Sequence, residues 1–190
     1  MPVENPVLKA IYDRRSIRKF KQQPLTDEQV QILADVALAS PSGSNRQPWL
    51  FHFVRNQDVI NTLSNAALQT YRDADDQVVI KRMETRNNKI FYGAPLVILI
   101  SLPLTGESKI PDIDAGVAVA QLAIAAQAIG LSSCIIGLVR SAFTGPQGEK
   151  MAQLIGMPSD RRFAVSIAIG YPDTEKEAHD IRPDHIVWID

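Results

Sequence analysis

The chain has one cysteine, Cys134, in 190 residues. That excludes an intramolecular disulfide and a cysteine-rich metal site. Excess charge is also missing, since 20 Lys and Arg stand against 21 Asp and Glu. A near-neutral chain has no general attraction for nucleic acid or an anionic membrane, so neither is expected as a partner. There is no long apolar run. The best candidate, residues 115–131, is alanine-rich and interrupted by Gly116, Gln121 and Gln127, which falls short of a membrane span. The first ten residues show no basic region followed by an apolar stretch, so no secretory signal is expected. These absences together set a cytoplasmic protein as the expectation.

Motif absences narrow the chemistry. No G-x-G-x-x-G dinucleotide fingerprint and no G-x-x-x-x-G-K-[ST] phosphate loop occurs. The three histidines, His52, His179 and His185, lack metal-ligand spacing, so no metal site is expected. His52 falls in a strand-like stretch and reads as structural. Cys134, followed by Ile135 and Ile136, reads as a buried, inert thiol.

What remains is a globular composition, 45% hydrophobic and 22% charged. The length suits one domain, taken as 1–190, and lets a chain bury roughly 70% of its unfolded surface without staples. A first helix is read over Pro6 to Asp13. A second begins at Thr26, with Gln29 three residues on as a capping box. Val30, Leu33, Ala34, Ala37 and Leu38 then form an amphipathic stripe that Pro41 ends. Residues 49–54 read as a strand, 58–68 as a helix and 75–90 as a polar helix. Leu96 to Ile100 is an apolar run expected of a strand buried on both faces. Asp112 and Asp114 mark a helix start, where carboxylates face the positive end of the dipole. Residues 115–129 are apolar on nearly every face, which predicts a central helix surrounded by protein, closed at Gly130. Short strands follow at 133–137 and 163–169, with a helix over 147–155 between them. Two helices precede any strand, so the order reads as α+β rather than a βαβ repeat. The tail is polar until Ile186, Val187, Trp188 and Ile189, which need a surface to cover them.

Two polar motifs carry the chemistry. Arg14-Arg15-Ser16-Ile17-Arg18 sets three arginines around a serine. Arginine forks onto phosphate oxygens and serine adds a hydroxyl donor. Composition alone favours a plainer reading, a solvated helix end whose cations face the dipole. Pro41-Ser42-Gly43-Ser44-Asn45-Arg46-Gln47-Pro48 concentrates hydroxyl, amide and backbone donors of the kind that suit the polar edge of a planar heterocycle. The same residues also suit an ordinary turn-rich loop.

Taken in order along the chain, these motifs resemble the flavin-dependent nitroreductase family. Arg14-Arg15-Ser16-Ile17-Arg18-Lys19-Phe20 is followed by Ala39-Ser40-Pro41-Ser42-Gly43-Ser44-Asn45-Arg46-Gln47-Pro48-Trp49. Gly93-Ala94-Pro95-Leu96-Val97-Ile98 resembles the family's central strand. Asp114-Ala115-Gly116, the alanine-rich helix and Gly130 to Gly137 resemble its core helix and next strand. Leu154 to Pro158 and Ala168 to Pro172 match its late segments.

The resemblance implies an α+β fold with a central mixed, mainly antiparallel sheet flanked by helices. It implies an intertwined homodimer in which the tail, 173–190, packs on the partner subunit. It implies FMN at the subunit interface, reduced by NADH or NADPH. The reduced flavin would pass hydride to nitroaromatic, quinone or related small acceptors by a ping-pong mechanism, with no protein group as the catalytic residue. Arg14, Arg15, Ser16 and Arg18 would hold the phosphate and ribityl side and reach the pyrimidine edge. Pro41, Ser42, Ser44, Asn45 and Gln47 would come from the partner. Ile136 and Gly137 would flank the ring, Asn87 or Lys89 would add a contact, and Arg182 would bind phosphate from the tail. Asp180 stands where members often carry another basic residue. Two alternatives remain at this stage. One is another flavin enzyme on the same scaffold: a dehydrogenase, a dehalogenase or a flavin-degrading enzyme. The other is a non-catalytic flavin-binding dimer.

Overall fold

The computed structural model describes residues 5–87, 89–104 and 110–189. The apolar run read as a two-faced strand forms β2, Leu96–Pro103, and is buried along nearly its whole length. It pairs on one side with β1 (Leu50–Val54) and on the other with β4 (Arg161–Gly170), which in turn pairs with β3 (Ser132–Ile136). The order is β1-β2-β4-β3. All three pairings are antiparallel. Among the described residues, the parallel element expected of a mixed sheet is an isolated bridge between Ser16 and Ser133.

Alternation along the strands splits the core in two. Val97, Leu99, Cys134, Ile136 and Ala168 belong to one cluster. It is completed by α3 (Gln57–Asp73), α4 (Gln77–Glu84), α6 (Arg140–Thr144) and α7 (Gly148–Leu154). Leu96, Ile98, Ile100, Ile167 and Ile169 belong to the other, with α2 (Asp27–Leu38) and α5 (Ile110–Ala128). Helix α1, Pro6–Asp13, packs against α5. Among the described residues no helix is long and apolar enough to cross a membrane.

Local signals explain most helix ends. The Thr26 hydroxyl accepts from the Gln29 amide while the Gln29 side chain accepts from the Thr26 amide, the capping box read from sequence. Asn56 caps α3 by accepting through Oδ1 from the Asp58 and Val59 amides, without a reciprocal bond. That helix runs five residues past the expected end at 68. The polar helix is correspondingly short, because Asp75 turns left-handed (φ 51°) and Asp76 becomes the cap of α4.

Helix α5 departs from expectation. Asp114, Ala115, Ala118, Val119, Leu122, Ala123 and Ala126 are buried, but Ile113 and Val117 are exposed on the opposite side. Its composition predicts burial all round. A single chain covers only one stripe and leaves an apolar face open.

The edge of the sheet is locked by a buried histidine. His52 on β1 donates through Nδ1 to the Ile155 carbonyl at the end of α7 (3.0 Å), and Nε2 accepts from the Ser101 hydroxyl on β2 (2.9 Å), in the tautomer that satisfies both. Burial pushes its pKa below the ordinary 6.5, opposed by the Ile155 hydrogen bond and assisted by the nearby Arg161 charge. The unfolded chain therefore takes up a proton near pH 6.5 that the native state refuses until lower pH. Stability contributed by neutral His52 is complete above that value and falls as pH drops through it. Urea midpoints should hold level above about pH 7 and decline as pH falls below about 6.5. His52→Gln should be less stable at pH 7.5 but lose that slope. An unchanged slope would assign the acid sensitivity to other groups.

Candidate functional site

The arginine segment reaches the sheet through its backbone. The Ile17 amide donates to the Ser133 carbonyl (3.0 Å), and Ser16 pairs with Ser133 at the start of β3. Ile17 and Phe20 are sunk in the α3 side of the core. The Ser133 hydroxyl is the buried side-chain polar atom left without a partner among the described residues, so this junction is not optimised for stability alone.

A cleft of about 370 Å³ opens beside this junction, lined by Arg18, Arg82, Arg86, Tyr92 and Cys134 to Leu138. A second, of about 350 Å³, shares Arg18, Arg86 and Tyr92 and adds Lys19, Asn87 and Lys89. Among the described residues no carboxylate lines either one. Among the described residues no carboxylate pairs with Arg14, Arg18, Arg82 or Arg86. The Cys134 thiol registers this field. Burial pushes its pKa up, while Arg18, Arg86, Lys176 and Arg14 pull the other way. Gly137 borders open space, since a Cβ there would meet nothing within 4 Å. Lys19 is paired with Asp173, but clustered arginines without a carboxylate partner suit a bound oxyanion, and a terminal phosphate fits that donor set.

Of the residues expected at the site, Arg18, Ile136 and Gly137 share the first cleft and Asn87 lines the second, while Ser16 is held at the start of β3 by its pairing with Ser133 and Arg14 reaches Cys134 through its charge. Arg15 is half-engaged elsewhere, donating to the Tyr12 and Arg14 carbonyls at the end of α1. For this arginine the plainer reading, a helix-end cation, describes the contact. Arg182 lies in the exposed tail, where its guanidinium faces Asp184 at 3.8 Å.

The polar loop lies elsewhere. Trp49, at its end, belongs to the α5 side of the core. The loop is braced at both ends. Asp114 on α5 accepts from the Gly43 amide (2.9 Å), and Arg161 at the start of β4 donates to the Pro48 carbonyl (3.0 Å) and the Ser101 carbonyl (3.3 Å). Inside the loop, Ser42 Oγ accepts from the Gln47 amide (2.9 Å), and the Gln47 side chain donates to Asn45 Oδ1 (2.9 Å). Ser44, Asn45 and Gln47 are left-handed, at φ 52°, 52° and 46°. Asn87 and Tyr92, beside the cation-lined clefts, are left-handed as well, and outside these two regions only Asp75 is, among the described non-glycine residues. Backbone strain of this kind concentrates where function needs it.

Sequence reading passed over Arg82, Arg86 and Arg161. Arg82, in the last turn of α4, and Arg86, just beyond it, are four residues apart, a helical spacing on a segment read only as polar. Arg161 has no local signal, because its partners are far away in sequence.

With this geometry in hand, the chain can be compared with known proteins. The nitroreductase family model matches residues 11–171. The fold matches that of a nitroreductase with bound FMN from Desulfitobacterium hafniense, with a TM-score of 0.93 and 30% identity, covering 99% of this chain and 100% of that one. The chain is 26% identical over 184 residues to the NADPH-flavin oxidoreductase of Vibrio harveyi, covering 96% of this chain and 72% of that protein. It is 27% identical over 184 residues to the iodotyrosine deiodinase of Thermotoga neapolitana, covering 89% of this chain and 92% of that protein.

The Asp114 brace generates a direct prediction. Asp114→Ala leaves the Gly43 amide without its acceptor and should cost about 1–3 kcal/mol in denaturant unfolding. Asp114→Asn keeps an acceptor oxygen and should recover most of that loss. Equal losses in the two variants would show that charge, and not the hydrogen bond, holds the loop.

Proposed function

The chain belongs to the nitroreductase family, and from that premise we propose that it is an FMN-dependent oxidoreductase using NADH or NADPH. The observation that carries the reading is the Ser16–Ser133 pairing. It ties the arginine segment to the start of β3, and Arg18 then shares a cation-lined cleft with Ile136 and Gly137 at that strand's other end, with no carboxylate among the described lining residues. Bound FMN supplies hydride transfer from the nicotinamide to a nitroaromatic, quinone or related small acceptor.

The chain's own residues bind and orient. Arg14, Ser16 and Arg18 hold the phosphate and ribityl side, with Arg15 lending charge from the end of α1. Ile136 and Gly137 flank the ring through backbone groups, and Asn87 contacts its edge. Pro41, Ser42, Ser44, Asn45 and Gln47 are anchored on the α5 side of the core, away from that cleft. We assign them to the flavin site of a second copy, which makes the protein a homodimer. The same dimer covers the exposed face of α5 and the exposed residues Ile186 to Ile189, and it carries Arg182 toward the partner's phosphate. No side chain acts as general acid or base in this scheme. A cytoplasmic location is proposed on the sequence features given above.

The similarity to a deiodinase supports a second reading, reductive dehalogenation in the same cleft. Turnover of a halogenated phenol in preference to nitro and quinone substrates would favour it.

Heat-released flavin should run as FMN on chromatography, and recovery of FAD, or of no flavin after reconstitution, would overturn the assignment. Arg14→Ala and Ser16→Ala should each weaken FMN binding by some 30- to 150-fold, the equivalent of about 2–3 kcal/mol, without unfolding the apoprotein. Wild-type affinity in both variants would return the cluster to a solvated helix end. Donor and acceptor are proposed to use one cleft in turn. Initial rates should then give parallel double-reciprocal lines, and intersecting lines would reject the shared cleft.

A further inference from the structure

Resting on the flavin reading but going beyond it, we propose that the second ligand of the cleft is itself an oxyanion, held by Arg86 together with Arg82. The argument begins from surplus charge. One flavin phosphate is a dianion, and Arg14 and Arg18, backed by Arg15 and Ser16, already answer it. Arg82 in the last turn of α4, Arg86 beyond it and Lys89 remain, with no carboxylate among the described lining residues of either cleft.

Arg86 is not a loose surface side chain. Its Nη1 donates to the Tyr92 hydroxyl at 3.2 Å, and its guanidinium carbon lies 5.5 Å from the centre of the Tyr92 ring. Tyr92 is itself buried and held at φ 57°, next to the buried Ile90 and Phe91. The guanidinium is therefore fixed on an aromatic platform, with its remaining N–H groups free for a forked contact. The cost of ordering the side chain is met on folding and not on binding. Arg86 also lines both clefts, as do Arg18 and Tyr92, so it stands where a ligand lying along the flavin would end. The chemistry is that of a phosphate monoester or a carboxylate. It has two sources: the 2′-phosphate of NADPH, or the carboxylate of an aromatic acceptor.

The test is calorimetric titration of the holoprotein with two probe pairs, 2′,5′-ADP against 5′-AMP, and 4-nitrobenzoate against 4-nitrobenzamide. At least one anionic probe should bind about tenfold or more tightly than its counterpart, and the responding pair identifies the source. That preference should vanish in Arg86→Met, weaken in Arg82→Met and persist in part in Arg86→Lys, which keeps a cation over Tyr92. Flavin absorbance should show FMN retained in all three. No preference in the wild type, or one that survives Arg86→Met, overturns the proposal. So does loss of FMN in Arg86→Met, which would make Arg86 a flavin ligand. A wild-type protein that takes up no FMN overturns the flavin reading instead, and the same titrations, which need no turnover, still decide the role of Arg86.

Discussion

Everything about the site follows from one barrier, the four-stranded sheet that divides the core. Strand β2 is buried on both faces, so neither polar motif can cross it. The arginine segment is tied to the start of β3 and anchored by Ile17 and Phe20 on the α3 side. The Pro41–Gln47 loop is tied to α5 and β4 and runs into Trp49 on the other side. A cofactor that needs both sets of donors is served by two chains more readily than by one. On the proposed dimer, the open apolar face of α5 and the exposed Ile186 to Ile189 would be parts of the same solution. Apolar area of that kind is costly to leave in water.

The charge distribution supports a division between stability and binding. Ion pairs such as Lys19–Asp173 and Arg55–Asp27 lie on the surface, where solvent screening leaves each worth little. Arg14, Arg18, Arg82 and Arg86 have no carboxylate partner among the described residues. A fold optimised only for stability would pair them, because unrelieved like charges in one cleft repel. Their arrangement is better explained by a ligand that brings the negative charge. The same field acts on Cys134, yet burial outweighs it and leaves the thiol protonated and inert in the core.

Much of the fold is legible in the sequence because its causes are local. The Thr26–Gln29 capping box, the two-faced apolar run of β2 and the left-handed Gly130 (φ 78°) after α5 are read from adjacent residues and occur in the structure. The misreadings have non-local causes. Helix α5 is apolar all round, but its composition does not say whether its own chain or another covers the second face. Helix α6 occupies five residues between Gly137 and Gly145, too few for any period to register. The candidate site divides the same way. Arg14 to Arg18 and Pro41 to Gln47 are contiguous and visible. Arg86 and Arg161 acquire meaning only from Tyr92 and from Pro48, the latter 113 residues away from Arg161.

The loop on the α5 side shows how such distant contacts serve binding. Three left-handed residues within Ser44–Gln47 cost on the order of 1–2 kcal/mol each for side chains with a Cβ, and a free loop would relax out of that shape. The two end braces and the Ser42 and Gln47 contacts hold it there. Gly43 marks how closely the brace fits, since a Cβ at that position would come within 2.7 Å of Ile110 Cγ2. The strain is therefore borne during folding, supported by α5 and β4, so that a ligand meeting the loop finds its donors already in place. Arg161 contacts both Pro48 and Ser101, and Ser101 meets His52. The rigidity of the loop is thereby continuous with the locked edge of the sheet. His52 and the loop are thus linked through Ser101 and Arg161, by hydrogen bonds that involve none of the loop residues proposed to contact the ligand.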